Sequence, residues 1–182
     1  MDADEMLAPA REPDENCAAR IAYAASLKQG SHIHISGICG SGTAAVLVLL
    51  RELGFYVTGS DKAFYPPMGD VVRSLAHKLY EGYRAENLEQ RPALVVIGNA
   101  QSRGNPEVEH VLEHKLPFAS MPEVFAALLI GTRAQCRTSV VISGTHGKTT
   151  TSAAVSTVLD AAGRKPGYFI GGVPLSLSGN VR

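Results

Sequence analysis

The stretch HIHISGICGSG, residues 32–42, decides the fold of this 182-residue chain. Its first part alternates polar and apolar side chains, a pattern typical of a strand, and three glycines follow at positions 37, 40 and 42. The apolar run TAAVLVLL, residues 43–50, then predicts a buried helix. A strand, a glycine turn and a helix in this order form the beginning of a βα unit.

Outward from this unit, short apolar runs alternate with helical patterns along the chain. Strands are predicted at 32–36, 55–58, 94–98 and 139–143, with a weaker one near Phe118. Helices are predicted at 17–28, 43–53, 105–115, 121–130 and 150–162. The alternation predicts an α/β protein that begins with a Rossmann-like domain, in which helices cover a parallel sheet.

The composition excludes several classes of protein. With 17 Lys+Arg against 17 Asp+Glu and no long basic run, the chain is expected to bind neither nucleic acid nor a membrane surface. No window approaches the about 18 uninterrupted apolar residues that span a bilayer. The three cysteines lie far apart, which disfavours a disulfide framework, and the acidic N-terminus is unlike a secretory signal. We therefore expect a cytoplasmic protein.

A second glycine loop lies at VVISGTHGKTTT, residues 140–151, again between a strand pattern and a helix pattern. Its glycines let successive amides turn toward one point, Lys148 adds a positive charge, and the hydroxyl of Thr149 can ligate Mg²⁺. The strict P-loop pattern requires glycine where Ile142 stands, but the flanking elements still predict a P-loop that binds ATP and Mg²⁺. The residues assigned to ATP are Gly144, Thr145, His146, Gly147, Lys148, Thr149 and Thr150.

The turn at 37–42 is a candidate nucleotide site as well. Gly40, Gly42 and Ala45 fit G-x-G-x-x-A, and Asp61 follows at the end of the next strand, where a carboxylate can accept hydrogen bonds from ribose hydroxyls. The pattern leaves open a nucleoside diphosphate site, the NAD site of an oxidoreductase, and a turn that serves only close packing. The NAD interpretation leaves the loop at 144–151 without a role.

Two other features are set aside as sites. His110 and His114 with Glu113 match H-x-x-E-H, a zinc pattern, but no third ligand is evident and the segment has the charges of an exposed helix face. Cys39 lies near a helix N-terminus, where a thiol pKa can be lowered. A packing role is the preferred interpretation of Cys39.

Taken together, the two loops resemble those of the Mur ligases, ATP-dependent amide-forming enzymes of peptidoglycan metabolism. The resemblance covers about residues 32–182, and the family's ATP loop also dispenses with the first glycine of the strict pattern. Three further stretches, GSDKAFYPPM at 59–68, GNAQSRGNPE at 98–107 and GGVP at 171–174, are similar to the branch that recycles a murein tripeptide. The branch that ligates L-alanine shares both loops and stays the alternative.

The resemblance implies an ATP-dependent carbon–nitrogen ligase that joins UDP-N-acetylmuramate to a murein tripeptide through an acyl phosphate. It implies that Lys148 is the catalytic residue, on the β- and γ-phosphates of ATP, and that Thr149 is a Mg²⁺ ligand. It assigns the UDP-sugar to Gly37, Gly40, Ser41, Gly42, Asp61, Asn99, Ser102 and Asn105.

The predicted domain organisation has three parts. Residues 1–30 are an acidic, partly disordered lead-in, residues 31–134 a UDP-sugar-binding domain, and residues 135–182 the start of a central P-loop ATPase domain. Since Mur ligases have three domains, the resemblance implies that this chain alone is incomplete and inactive. A non-catalytic nucleotide-binding module is the remaining alternative.

Overall fold

A computed structural model describes residues 15–66, 68–130, 138–172, 174–177 and 179–182. Its strands are β1 (His32–Ser36), β2 (Tyr56–Asp61), β3 (Lys78–Glu81), β4 (Leu94–Ile97) and β5 (Phe118–Ser120). Its helices are α1 (Glu15–Ser26), α2 (Ser41–Glu52), α3 (Met68–Leu75), α4 (Pro106–Glu113), α5 (Met121–Phe125) and α6 (Lys148–Ala161). A 3₁₀ turn (Ala85–Leu88) precedes β4, and a π-helical turn (Ala126–Ile130) continues α5. None of these helices is long and apolar enough to cross a bilayer.

The strands form one parallel sheet in the order β3-β2-β1-β4-β5, which confirms the predicted α/β fold. The register pairs His34 of β1 with Thr58 of β2 on one side and with Val95 of β4 on the other. From β1 the chain builds outward to β3 and then returns to add β4 and β5 on the opposite side. The loops after β1 and β4 therefore leave the same edge toward opposite faces of the sheet, and a crevice opens between them.

Most predicted elements are present, and two elements were not predicted. The weak strand near Phe118 exists as β5, and α2 and α4 lie at their predicted places. The sequence does not reveal β3, an edge strand of four residues without a buried apolar run, or α3, a helix of eight residues that buries only Gly69 and Val72. Short elements with little buried apolar surface give weak periodicity.

The two faces of the central strands differ in chemistry. Ile33 and Ile35 of β1 are buried in the main core beside the apolar side chains of α2. The opposite face is polar although it is also buried, since His34 and Thr58 are fully inaccessible to solvent. Both His32 Nε2 and His34 Nδ1 lie 2.9 Å from the hydroxyl oxygen of Thr58. These histidines are therefore packed side chains that bond to the neighbouring strand.

Helix α1 is attached to the domain by an ion pair. The guanidinium of Arg20 lies 2.7 Å from the carboxylate of Glu123 on α5 and 5.4 Å from the ring centroid of Phe118. Burial by itself would raise the pKa of Glu123. Hydrogen bonds from Arg20, from the amide and hydroxyl of Ser120, and from Cys17 lower this pKa to about 2.

The described C-terminal segment, which begins at residue 138, lacks the strand predicted at 139–143. Residues 138–144 form no strand, and Val140 and Val141 are 69% and 84% exposed. A strand requires a hydrogen-bonded neighbour, and no described segment pairs with this one. Helix α6 confirms the predicted helix, and Gly163 follows its end with a φ of +73°, a conformation that favours glycine. The predicted boundary at 131–137 lies outside the described residues.

We expect Arg20→Ala to lower the free energy of unfolding at pH 7 by about 1–3 kcal/mol, because it removes a hydrogen-bonded partner from a nearly buried carboxylate. The depressed pKa of Glu123 stabilises the fold at neutral pH, and this contribution is lost as the pH falls from about 4.5 toward about 2. Urea denaturation at pH 7 and pH 3 measures both effects. Lys28→Ala, at an exposed position just after α1, is the control. An equal loss in the two variants would contradict the assignment.

Candidate functional site

An open cleft of about 730 Å³ lies at the carboxyl edge of β1, β2 and β4, where the strand order reverses. Five residues predicted to bind a UDP-sugar line it: Gly37, Gly40, Asp61, Ser102 and Asn105. Three others predicted with them do not: Ser41, Gly42 and Asn99. The remaining lining residues, which the sequence analysis did not assign to this site, are Cys39, Lys62, Tyr83, Ala100, Gln101, Arg103, Gly104 and Pro106.

The glycine turn uses most of its own amides. The amides of Gly37 and Ile38 donate to the carbonyl of Ser60, at 2.9 and 3.0 Å, and the amide of Cys39 donates to the Asp61 carboxylate at 2.8 Å. Gly37 has a φ of +79°, which only glycine adopts without strain. Amides available to a ligand are therefore those of the first turn of α2, which have no acceptor within the helix.

Gly42 has a packing role. A β-carbon at this position would collide with the Sδ atom of Met121, so the absence of a side chain lets α2 lie close to α5. The hydroxyl of Thr43 donates to the carbonyls of Gly37 and Gly40 at 2.6 and 3.0 Å and fixes the turn from within. The G-x-G-x-x-A match thus reflects close packing at its second glycine.

Four polar side chains form a hydrogen-bonded chain across the cleft. Asn105 Nδ2 donates to Gln101 Oε1 at 2.6 Å, and Gln101 Nε2 donates to the hydroxyl of Tyr83 at 2.9 Å. The Tyr83 hydroxyl donates to Asp61 Oδ1 at 3.2 Å, and the Lys62 amide donates to the same oxygen at 2.8 Å. With the amide of the glycine turn on its other oxygen, Asp61 has little acceptor capacity left for a ribose.

Tyr83 has no local motif that would identify it, and Gln101 lies in the stretch 98–107 that carries the resemblance but was not assigned to the site. Each becomes a site residue because its loop follows a strand that ends at the cleft, and the strand before Tyr83 is the one that the sequence does not reveal. Burial and the Asp61 carboxylate raise the pKa of Tyr83 to about 12, so its hydroxyl stays protonated and donates at neutral pH.

The thiol of Cys39 is not activated. The alternative of a lowered pKa is wrong, because burial and the carboxylate of Asp61 raise the pKa of the Cys39 thiol to about 11. The helix N-terminus nearby does not compensate for these effects. Cys39 is a protonated thiol in the wall of the cleft, in agreement with the packing interpretation.

Two cations lie on the cleft. Arg103 Nε donates to Glu109 Oε1 at 2.8 Å, and the Gly104 amide donates to the same oxygen at 2.7 Å, which holds the loop over the first turn of α4. Within the part of the chain that the structure describes, Lys62 has no ion-pair partner. The ammonium of Lys62 is therefore the charge most available to an anionic ligand here.

The second glycine loop is open to solvent. Gly144 and Gly147 have φ values of +149° and +77°, and Gly147 is the residue before α6. Lys148 Nζ donates to the carbonyls of Gly144 and Thr145 at 2.7 and 3.3 Å, so the ammonium is folded over the loop. An exposed ammonium beside helix amides without intrahelical acceptors fits a polyphosphate group.

The zinc pattern on α4 gains no support. The rings of His110 and His114 are stacked with centroids 4.0 Å apart, and His114 Nδ1 lies 3.1 Å from the carbonyl oxygen of His110. No group of three or more His, Cys, Asp or Glu side chains in the described residues could hold a metal ion.

This geometry defines a class: a Rossmann-like α/β domain with an open polar cleft where such domains bind nucleotides. The profile described as the Mur ligase family, catalytic domain, matches residues 32–133. The chain belongs to the Mur ligase family.

Individual relatives give more detail. The chain is 45% identical over 142 residues to the UDP-N-acetylmuramate–L-alanyl-γ-D-glutamyl-meso-2,6-diaminoheptandioate ligase of Escherichia coli, and the match covers 78% of the chain. It is 39% identical over 150 residues, 82% of its length, to the UDP-N-acetylmuramate–L-alanine ligase of Paracoccus denitrificans. Either match covers 30% of the relative. A solved UDP-N-acetylmuramate:L-alanyl-γ-D-glutamyl-meso-diaminopimelate ligase from Neisseria meningitides superposes with a TM-score of 0.76 at 37% identity, over 84% of this chain and 46% of that one.

The pKa of Cys39 yields a direct test. At pH 8 a thiol with a pKa of about 11 has roughly a hundredfold less thiolate than an ordinary cysteine. Because a more basic thiolate is also more nucleophilic, we expect its alkylation to be about tenfold slower. Site-resolved mass spectrometry after iodoacetamide treatment, with N-acetylcysteine as reference, measures the rate. Asp61→Asn removes the neighbouring charge and is expected to accelerate the reaction. Labelling of Cys39 as fast as the reference would contradict the assigned pKa.

Proposed function

We propose that the cleft at the carboxyl edge of the sheet holds the uridine diphosphate part of UDP-N-acetylmuramate. The proposal extends to the whole protein as an ATP-dependent ligase that joins this substrate to a murein tripeptide. The observation that carries it is the cleft itself, which brings five predicted UDP-sugar residues together at the switch point of the sheet.

The names of the relatives support the identity of the sugar nucleotide more strongly than the identity of the amine that is joined to it. Relatives named for the tripeptide and relatives named for L-alanine share UDP-N-acetylmuramate and differ in the group that is joined to it. The family model matches residues 32–133, which contain the predicted UDP-sugar residues. Identity is higher to the tripeptide ligase, at 45% against 39%. We therefore favour the tripeptide over L-alanine.

The cleft offers three kinds of contact for a nucleoside diphosphate. The ammonium of Lys62 in the cleft lining would attract the diphosphate, as would the first-turn amides of α2, a helix that begins directly after the cleft-lining Gly40. The side chains of Gln101 and Asn105 supply amide donors and acceptors suited to a uracil ring or a sugar hydroxyl. An NAD site is less well supported, because the similar ligases are named for UDP-N-acetylmuramate.

The loop at 144–150 would hold ATP, with Lys148 on the β- and γ-phosphates and Thr149 as a ligand of Mg²⁺. When bound, ATP supplies the phosphoryl group that converts the muramate carboxylate to an acyl phosphate. The contribution of this chain is positional: the amides at the start of α6 and the ammonium of Lys148 orient and neutralise the phosphates. Gly172 approaches Thr149, since a β-carbon on Gly172 would lie 3.4 Å from the methyl group of Thr149.

Titration calorimetry on this chain tests the first part of the proposal. UDP-N-acetylmuramate is expected to bind saturably and to raise the melting temperature, UDP to bind more weakly, and NAD to give no heat. A folded chain that binds NAD and not the sugar nucleotide would overturn the proposal in favour of a dinucleotide site. The absence of binding by either ligand would overturn it as well.

The charge in the cleft can be tested separately. Lys62→Met is expected to raise the Kd for UDP-N-acetylmuramate about threefold to tenfold at low ionic strength, with a smaller effect at 0.5 M salt, because an exposed charge is screened. Lys28→Met, which removes the same charge from an exposed position outside the cleft lining, is the matched control. Equal Kd values for the two variants would exclude Lys62 from the site.

If each glycine loop binds its own nucleotide, a mutation in the second loop should affect ligation without affecting the binding of the sugar nucleotide. In a protein that carries this chain together with the remaining length of its relatives, Lys148→Ala is expected to abolish ATP-dependent ligation. The Kd for UDP-N-acetylmuramate should stay within about twofold, because Lys148 does not line the cleft. Loss of both properties together would contradict the assignment of two nucleotides to two loops.

A further inference from the structure

Glu107 is a buried carboxylate below the cleft, on the first turn of α4, and it is fully inaccessible to solvent. A buried charge is costly unless hydrogen bonds or an opposite charge compensate it. The hydroxyls of Ser36 and Ser60 donate to Glu107 Oε2 at 2.6 and 2.7 Å. Asn87 Nδ2 donates to Oε1 at 2.7 Å, and His34 Nε2 lies 3.6 Å from that oxygen.

Both serine donors are next to a loop that lines the cleft. Ser36 is followed by Gly37 of the glycine turn. Ser60 is followed by Asp61, and its own carbonyl accepts the amides of the glycine turn. Glu107 therefore joins the ends of β1 and β2 at the point where both strands give way to cleft loops.

The other contacts extend this arrangement to two more loops. Asn87, besides its bond to Glu107, donates to the carbonyl of Gly82 at 3.0 Å, next to Tyr83. Glu107 itself follows Asn105 and Pro106, and its amide donates to Asn105 Oδ1 at 2.9 Å. All four loops of the cleft thus meet at one carboxylate.

The ionised state of Glu107 is consistent with this role. Burial raises its pKa, but His34 and the two serine hydroxyls outweigh burial, and the pKa of Glu107 lies below its ordinary value. An ionised carboxylate accepts from several donors at once, whereas an amide or an apolar side chain cannot satisfy three donors from three different segments.

We propose that Glu107 is the positioning residue of the nucleotide cleft, holding the loops at 37–40, 61–62, 82–83 and 101–106 in the relative arrangement that binds the ligand. The ligand part of this inference rests on the proposed function. The geometric part, that these loops are coupled through one carboxylate, does not depend on any ligand.

The first experiment measures the coupling without a ligand, by amide hydrogen exchange. Glu107→Gln is expected to accelerate exchange at least about tenfold in the loops at 37–40, 82–83 and 101–105. The control is Val111→Ala, which removes buried apolar volume from the same helix, and its effect should follow the loss of global stability only. Identical exchange patterns in these two variants would reduce Glu107 to a structural residue and overturn the proposal.

A milder variant covers the case in which Glu107→Gln does not fold. Ser36→Ala removes one hydroxyl whose described bond is to Glu107. A local effect would be confined to the adjoining turn at 37–40, whereas coupling through Glu107 predicts faster exchange at 101–105 as well. If amide hydrogen exchange in Ser36→Ala accelerates only at 37–40, the proposed coupling of the loops through Glu107 is wrong.

The second experiment measures the Kd for UDP-N-acetylmuramate by calorimetry. We expect Glu107→Gln to raise the Kd about tenfold or more, and Val111→Ala and the exposed-charge control Glu113→Gln to change it less than twofold. If the unaltered chain does not bind the sugar nucleotide, the proposed function fails, and the exchange experiment still decides on the coupling. If it binds and Glu107→Gln leaves the Kd unchanged, the positioning role fails alone.

Discussion

The parallel pairing of β1 with both β2 and β4 is the constraint on which the rest of the structure depends. β1 is hydrogen-bonded to a strand on either side and four of its five residues are buried, so two ladders and the packing on the sheet fix its position together. The two neighbours of β1 in the sheet, β2 and β4, come from different parts of the chain. The loops beyond the carboxyl ends of the strands therefore diverge. The location of the cleft is therefore a consequence of strand order.

The polar face of β1 and β2 is an unusual way to fill the interior of such a sheet. His34, Thr58 and Glu107 occupy space that apolar side chains could fill at a lower cost in desolvation free energy. A well-packed apolar replacement of a buried ionic group is often neutral or stabilising. Each of these polar groups has partners at hydrogen-bonding or ion-pairing distance. Stability alone does not explain why polar side chains fill this part of the interior. The proposed requirement for defined loop positions does explain it.

The sequence predicted what is local and missed what topology creates. The strand, glycine turn and α2 are contiguous, so periodicity and glycine spacing revealed them, and Asp61 followed from its place after the next strand. Tyr83 lies in a loop after the unpredicted strand β3, which only the sheet order brings to the cleft. The predicted strand at 139–143 failed for a related reason: its residues have strand propensity, but in the described structure no neighbour supplies a ladder.

The two glycine loops differ in how far the protein itself satisfies their polar groups. In the turn at 37–40 most of the amides donate to carbonyl or carboxylate oxygens of the protein. A ligand there must therefore hydrogen-bond to side chains and to the first-turn amides of α2. In the loop at 144–147 the lysine lies over exposed carbonyls, and a phosphate can replace those carbonyls as its partner without breaking the fold. A preformed, internally satisfied turn suits a substrate that must be oriented, because its geometry does not change on binding. An open loop whose ammonium contacts only its own carbonyls leaves that charge accessible to an anionic ligand, as the proposed ATP site requires.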